Sequence, residues 1–224
     1  MPDAAGTPGA AGRTVLIAGA TSAAGVAVAA ALAGAGATVL AVGSNAERLE
    51  RVLAVAPDAS VYVCDLADPD QVTALAETVH AEHASVDGLV QLVGGWRGGG
   101  GLAGQTDADW DFLHERIVTT LRNTTRAFNA DLLASAAGRL AIVSSVSVDA
   151  PTPGGANYAS AKAAAETWTR AVGHGFATSG GTAAAVIFAV RALEGLESRL
   201  ATEVVALWDS PADALNNTRR ILAP

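Results

Sequence analysis

The chain has little of several things, and each shortage excludes a class of function. Cys64 is the single cysteine, so no internal disulfide can form, and a reducing cytoplasm is the expected setting. Aromatic residues make up only 4% although half of the 224 residues are hydrophobic, so the interior should be built from Ala and Val, as tight helix-on-sheet packing. No continuous apolar run reaches the roughly 20 residues that cross a bilayer. Residues 1–13, MPDAAGTPGAAGR, lack the apolar region of a secretory signal and read as a flexible leader over residues 1–12. Basic residues are the minority, 14 against 22 acidic, and the net charge of −8 argues against nucleic acid and anionic membranes as partners. A small molecule is the expected ligand. No repeat or linker divides the chain, which predicts one domain over residues 13–224.

The richest stretch is Leu140 to Lys162, LAIVSSVSVDAPTPGGANYASAK. If Asn157 begins a helix, Tyr158 and Lys162 lie one turn apart on a shared face. The ammonium then favours the ionised phenol, and a tyrosine so placed is a usable general acid near neutral pH. Ser145, thirteen residues before Tyr158 at the end of an apolar run, can fold back through the Pro/Gly loop and hold a carbonyl oxygen beside the phenol. A lone YxxxK on an Ala-rich helix is also a common surface coincidence, so the reading depends on the rest of the chain.

Thr14 to Ala18 (TVLIA) reads as a strand that passes through GATSAAG into a helix over VAVAAALAGAG. Strand, glycine turn and helix form the context of a dinucleotide site. Gly19 permits the tight turn and Gly25 a close approach of helix to sheet. Thr21, Ser22 and Ala24 stand at the helix N-terminus, where a pyrophosphate is favoured. An ordinary turn that binds nothing has the same local pattern. A second strand, Ala37 to Gly43, ends at Ser44, where an NAD-specific site usually places a carboxylate. With that charge missing and Arg48 one turn into the next helix, NADP(H) is favoured over NAD(H).

Val61 to Leu66 is read as a third strand, with Asp65 and Leu66 placed to meet an adenine. Asp68-Pro69-Asp70 starts a helix. His80 and His83 on it have ligand spacing but no third partner, so no metal site is expected. A fourth strand over Asp87 to Val93 runs into a loop with seven glycines between Gly94 and Gly104, where Gly94 is expected beside the cofactor and Trp96 and Arg97 are candidate substrate contacts. A long helix is expected over Asp107 to Ala134, with Trp110, Leu113, Ile117, Leu121 and Phe128 at core or interface positions. Arg139 to Ser145 and Thr182 to Val190 are read as the fifth and sixth strands. Short helices over Ala201 to Trp208 and Pro211 to Asn217 precede a last strand at ILAP. Alternating strands and helices predict an α/β fold: a single-domain, doubly wound parallel sheet of six to seven strands of the Rossmann type.

With these residues assembled, the chain resembles a short-chain dehydrogenase/reductase from Arg13 to the C-terminus. Ser145, Tyr158 and Lys162 fall on that family's catalytic serine, tyrosine and lysine, and Asp65-Leu66 on its adenine-binding pair. The resemblance implies an NAD(P)-dependent oxidoreductase passing hydride between nicotinamide and a carbonyl or alcohol carbon. In it, Tyr158 exchanges the proton, Lys162 tunes the phenol and bonds the nicotinamide ribose, and Ser145 orients the oxygen. It also implies a homodimer or homotetramer paired through the long helix and the Tyr158 helix. Several positions depart from the family pattern. Ala23 replaces the middle glycine of the turn, Gln91-Leu92-Val93-Gly94 replaces Asn-Asn-Ala-Gly, Ala189-Val190-Arg191 replaces the Pro-Gly after strand six, and Ile117 occupies the place of the catalytic asparagine. The Gly-Gly-Trp-x-Gly-Gly segment is similar to the dihydropteridine reductase branch, which reduces quinonoid pterins. The departures also admit a non-catalytic nucleotide sensor or scaffold.

Overall fold

The computed structural model describes residues 9–223. Among the described residues seven strands form one sheet: β1 (Thr14–Ala18), β2 (Thr38–Gly43), β3 (Ser60–Val63), β4 (Gly88–Gln91), β5 (Arg139–Ser145), β6 (Ala184–Val190) and β7 (Thr218–Ile221). They lie in the order β3-β2-β1-β4-β5-β6-β7, and every pairing is parallel. Parallel neighbours require a crossover between them, and the helices supply it. These are α1 (Ala23–Gly34), α2 (Ala46–Leu53), α3 (Pro69–His83), α4 (Asp107–Leu113), α5 (Thr120–Ala134), α6 (Ala156–Thr178), α7 (Glu197–Val205) and α8 (Ala212–Leu215).

The two faces of the sheet follow from the two-residue alternation of each strand. Val15 and Ile17 of β1 pack with Val28 and Leu32 of α1 and Leu200 and Val204 of α7, while Leu16 and Ala18 join Val79 of α3, Phe128 of α5 and Phe176 of α6 on the other side. The central strands are apolar on both faces, which is why TVLIA and AAVIFAV show no polar alternation in the sequence. Scarcity of aromatic side chains is met by close approach. At Gly25 a Cβ would stand 2.5 Å from the Ala20 carbonyl oxygen, so α1 sits directly on the turn that precedes it.

Most elements fall where the sequence places them, with instructive differences. β3 stops at Val63, and Asp65 stands in the following loop, whose turn is made by the Asp65 side chain accepting from the Ala67 N–H at 3.0 Å. The long helix is interrupted by a π-helical turn, His114–Thr119, between α4 and α5. Such turns insert a residue and redirect the side chains after it. Here the Thr120 hydroxyl returns to the Arg116 carbonyl at 2.6 Å and accepts from the buried Gln91 amide at 2.9 Å, fixing the turn to β4. The last strand is Thr218–Ile221 rather than ILAP, and α7 begins at Glu197 rather than Ala201. Of the expected leader, residues 1–8 lie outside the described residues; Ala10 is buried, and the Gly12 N–H donates to the Gly36 carbonyl at 2.9 Å. Among the described residues no helix is long and apolar enough to cross a membrane.

Candidate functional site

The chain winds from β1 outward to β3 and then returns across β1 to β4, so the carboxyl ends of β1 and β4 form the topological switch of the sheet, where open α/β sheets bind ligands. Gly19 occupies this point with φ +87°, and a Cβ there would lie 2.8 Å from the Val93 nitrogen. Only glycine satisfies both the left-handed backbone and the contact. Ser22 caps α1: its hydroxyl accepts from the Gly25 N–H at 3.0 Å and donates to the Gly19 carbonyl at 3.1 Å. The N-terminus of α1 opens into a cleft lined by Gly19, Thr21, Ser22, Ser44, Asp65, Leu66 and Gly94, by Glu115 and Arg116 of the π turn, and by Thr120 at the start of α5. Ala24 is buried behind the turn and does not line this cleft.

These residues fit a dinucleotide. The free N–H groups and positive end of α1 suit a pyrophosphate, and Asp65 and Ser44 provide polar groups for an adenosine half. Asn123, which the sequence did not single out, fixes the far wall by donating to the Leu66 and Ala67 carbonyls, each at 3.1 Å. Ser44 and Arg48 are both exposed, and the Asn45 side chain caps α2 by accepting from the Arg48 N–H at 2.8 Å.

Ser145, Tyr158 and Lys162 converge beside the same cleft. Ser145 ends β5, and its hydroxyl oxygen accepts from the Ser147 N–H at 3.1 Å and from the Ser147 hydroxyl at 2.9 Å. These two contacts hold the Ser145 oxygen in place at the end of the strand. Tyr158 is held in the first turn of α6, half-buried, with Ser145 beside it. Lys162 is buried, and its Nζ donates to the Val143 carbonyl at 2.7 Å while lying 5.8 Å from the centre of the Tyr158 ring. The ammonium also reaches the cleft, since a Cβ on Gly94 would be 3.8 Å from Nζ.

The electrostatics differ from the simple expectation that the ammonium lowers the phenol. Burial raises the Tyr158 pKa, with the Ser145 hydrogen bond pulling the other way. Burial likewise pushes Lys162 down to about 8, opposed by the carboxylate of Glu166 one turn further along α6. Desolvation penalises the charged form of each group, so the protonated phenol and an easily neutralised amine are favoured together. Lys162 is also the only lysine in the chain.

The glycine-rich segment is tied to the start of α6 by a residue that the sequence reading passed over. Gln105 donates from Nε2 to the carbonyls of Gly99 (3.0 Å) and Gly154 (3.1 Å), and its Oε1 accepts from the Asn157 N–H at 3.1 Å. Arg97 is held against α4, 4.1 Å above the Phe112 ring and 3.8 Å from Asp109. Trp96 is 63% exposed and lies over its own loop at Gly98. Ile117 is buried in the core between the sheet and the helices α3, α5 and α6, so the position expected for an asparagine presents no polar side chain to the cleft. His80 and His83 do not face a common point: His80 contacts Asp131 at 2.8 Å and His83 contacts the Tyr62 hydroxyl at 3.1 Å.

Comparison with known proteins identifies the family. A family profile described as short chain dehydrogenase matches residues 13–192. Nodulation protein G of Rhizobium meliloti (strain 1021) is 31% identical over 168 residues, covering 75% of this chain and 68% of the relative. A 3beta-hydroxysteroid dehydrogenase of Mediterraneibacter gnavus is 30% identical over 217 residues, 92% of this chain and 78% of the relative. Among solved structures, a metagenomic short-chain oxidoreductase in complex with NADP superposes with a TM-score of 0.81 at 24% identity, covering 95% of this chain and 99% of that one. The chain belongs to the short-chain dehydrogenase/reductase family and is an NAD(P)-dependent oxidoreductase of it.

Proposed function

We propose that the protein reduces a carbonyl group of a small molecule with NADPH through Ser145, Tyr158 and Lys162. The observation that carries this reading is the meeting of Ser145, fixed at the end of β5 by the Ser147 N–H and hydroxyl, with Tyr158 and Lys162 of α6. A substrate oxygen placed there receives two hydrogen bonds. Ser145 stabilises the charge that develops on it, and Tyr158 delivers the proton that completes the alcohol. When bound, the nicotinamide supplies the hydride. Lys162, against Gly94 at the cleft, binds the ribose and keeps a positive charge near the phenol as it gives up its proton. In the oxidative direction the same phenol accepts the proton instead. Water is excluded below the site by the apolar packing that buries Lys162.

The preference for NADP(H) rests on the end of β2. Ser44 lines the cleft where a carboxylate would repel a 2′-phosphate, and Arg48 stands exposed one turn into α2. For assembly, the reading is a homodimer or homotetramer paired through α5 and α6. A surface groove between them is bounded by Leu133, Trp168, Val172 and the small residues Ala171 and Gly175, which allow close helix approach. With one cysteine, a net charge of −8 and a small-molecule site, a cytoplasmic enzyme is the setting proposed.

Four outcomes test these readings. Tyr158→Phe should leave NADPH binding, followed by cofactor fluorescence, nearly unchanged, and cut turnover by about 10²-fold or more, the scale of lost general acid catalysis. The substrate panel is a β-ketoester, a 1,2-diketone and a quinonoid dihydropterin; unchanged turnover in the variant overturns the mechanism. Binding of NADPH with no turnover anywhere on the panel identifies a sensor, and turnover of the pterin alone a pteridine reductase. Because burial pushes Lys162 down to about 8 and its charge is needed, kcat/KM for carbonyl reduction should fall as pH rises through that value; a profile flat from about pH 6 to about pH 10 contradicts the role of the ammonium. Ser44→Asp should weaken NADPH binding by roughly tenfold or more while sparing NADH, since the carboxylate would face the 2′-phosphate; equal losses for both cofactors would sink the preference. Light scattering should give a dimer or tetramer, and a stable monomer at micromolar concentration refutes pairing.

A further inference from the structure

Beyond Ser145, Tyr158 and Lys162, one more ionisable side chain near the site is fully buried. Glu166, one helical turn beyond Lys162, has no exposed surface, yet it is an acidic residue. A buried carboxylate persists only when its oxygens are fully paired. Its Oε1 accepts from the Ser144 hydroxyl at 2.7 Å and from Arg219 Nε at 2.9 Å, and its Oε2 accepts from Arg170 at 2.7 Å. Arg219 comes from β7, at the far edge of the sheet. The remaining nitrogens of its guanidinium reach the Ser145 carbonyl at 3.0 Å and Asp149 at 2.9 Å. One planar fork therefore touches the helix of Tyr158 and Lys162, the backbone of Ser145 and the segment that follows it. Ser144 shares its strand face with Leu140 and Ile142, so its side chain falls to the α6 side by alternation.

We propose that Glu166 and Arg219 are positioning residues for the Ser145–Tyr158–Lys162 centre: the carboxylate holds the charge of Lys162 on α6, and the guanidinium clamps the Ser145 segment to that helix. The proposal rests on the reading of that centre as catalytic. A pair that served folding alone would not need to reach the backbone of Ser145, and would be replaceable by apolar residues of the same volume. The charged groups around Glu166 are Lys162 and Arg170 on α6 and Arg219 on β7, with Asp149 on the far side of Arg219. The carboxylate is the anion whose field raises the Lys162 pKa against burial, so its removal should make the ammonium harder to keep.

The single lysine makes this measurable without any substrate. In full-length protein labelled with 13C-lysine, one side-chain resonance reports Lys162 directly. The midpoint of its titration should move down by roughly one unit or more in Glu166→Gln and stay in place in Arg219→Lys, which keeps the negative charge of Glu166. Arg219→Lys, which loses the fork, should instead lower kcat about tenfold or more on whichever substrate of the panel is turned over, with NADPH affinity unchanged, because Ser145 is no longer clamped. An unmoved lysine midpoint in Glu166→Gln overturns the electrostatic half. Wild-type kcat in a folded Arg219→Lys protein overturns the clamp, and if Glu166→Gln does not fold, Arg219→Lys alone decides the proposal. Should Tyr158→Phe retain full turnover while the lysine midpoint still shifts, the catalytic reading fails and the charge coupling stands.

Discussion

The parallel pairing of β1 with β4 is the constraint from which the rest of the molecule follows. Once the chain has wound out through β2 and β3, it must return past its own first strand, and the Leu92 N–H closes on the Ala18 carbonyl at 2.8 Å. That leaves a gap above the carboxyl ends of two neighbouring strands, with the N-terminus of α1 opening into it. Gly19 is fixed by this geometry and not by preference, since any side chain there would strike the backbone of Val93. The cleft for the cofactor and the platform for Tyr158 are the two sides of the same switch.

Burial then sets the chemistry. Lys162 and Glu166 are four residues apart on a helix whose buried face is otherwise alanine, glycine, phenylalanine and threonine, so both depend on protein partners in place of bulk water. Each is satisfied by precise partners: the Val143 carbonyl for the amine, two arginines and a serine for the carboxylate. The cost of such burial explains why the amine is pushed down to about 8. The last strand, at the edge of the sheet, delivers one of those arginines to the buried carboxylate.

Much of the architecture was legible beforehand because it depends on local pattern. Apolar runs of strand length, a proline-led helix after Asp68 and a glycine turn after TVLIA each have a short-range cause. The spacing of Ser145, Tyr158 and Lys162 was legible for the same reason, since two of them share a helical turn and the third ends a strand. The π turn at His114–Thr119 was not, because its hydrogen bonds go from Thr120 to Arg116 and on to Gln91 on a different strand. Gln105 and Asn123 were missed likewise: both are ordinary polar residues until the fold brings carbonyls from distant segments around them. The end of β3 was placed too late because Asp65 makes a side-chain turn, which competes with the strand ladder.

The amino-acid order alone thus determined the class of fold, the rim where ligands gather and the three residues that meet there, because periodicity and spacing are properties of neighbours along the chain. Tertiary structure decided the ionisation of those residues and what holds them. Burial is a property of the whole assembly, and the partners of Glu166 and Ser145 lie as much as 74 positions away, on a strand whose sequence, TRRI, gives no sign of its role.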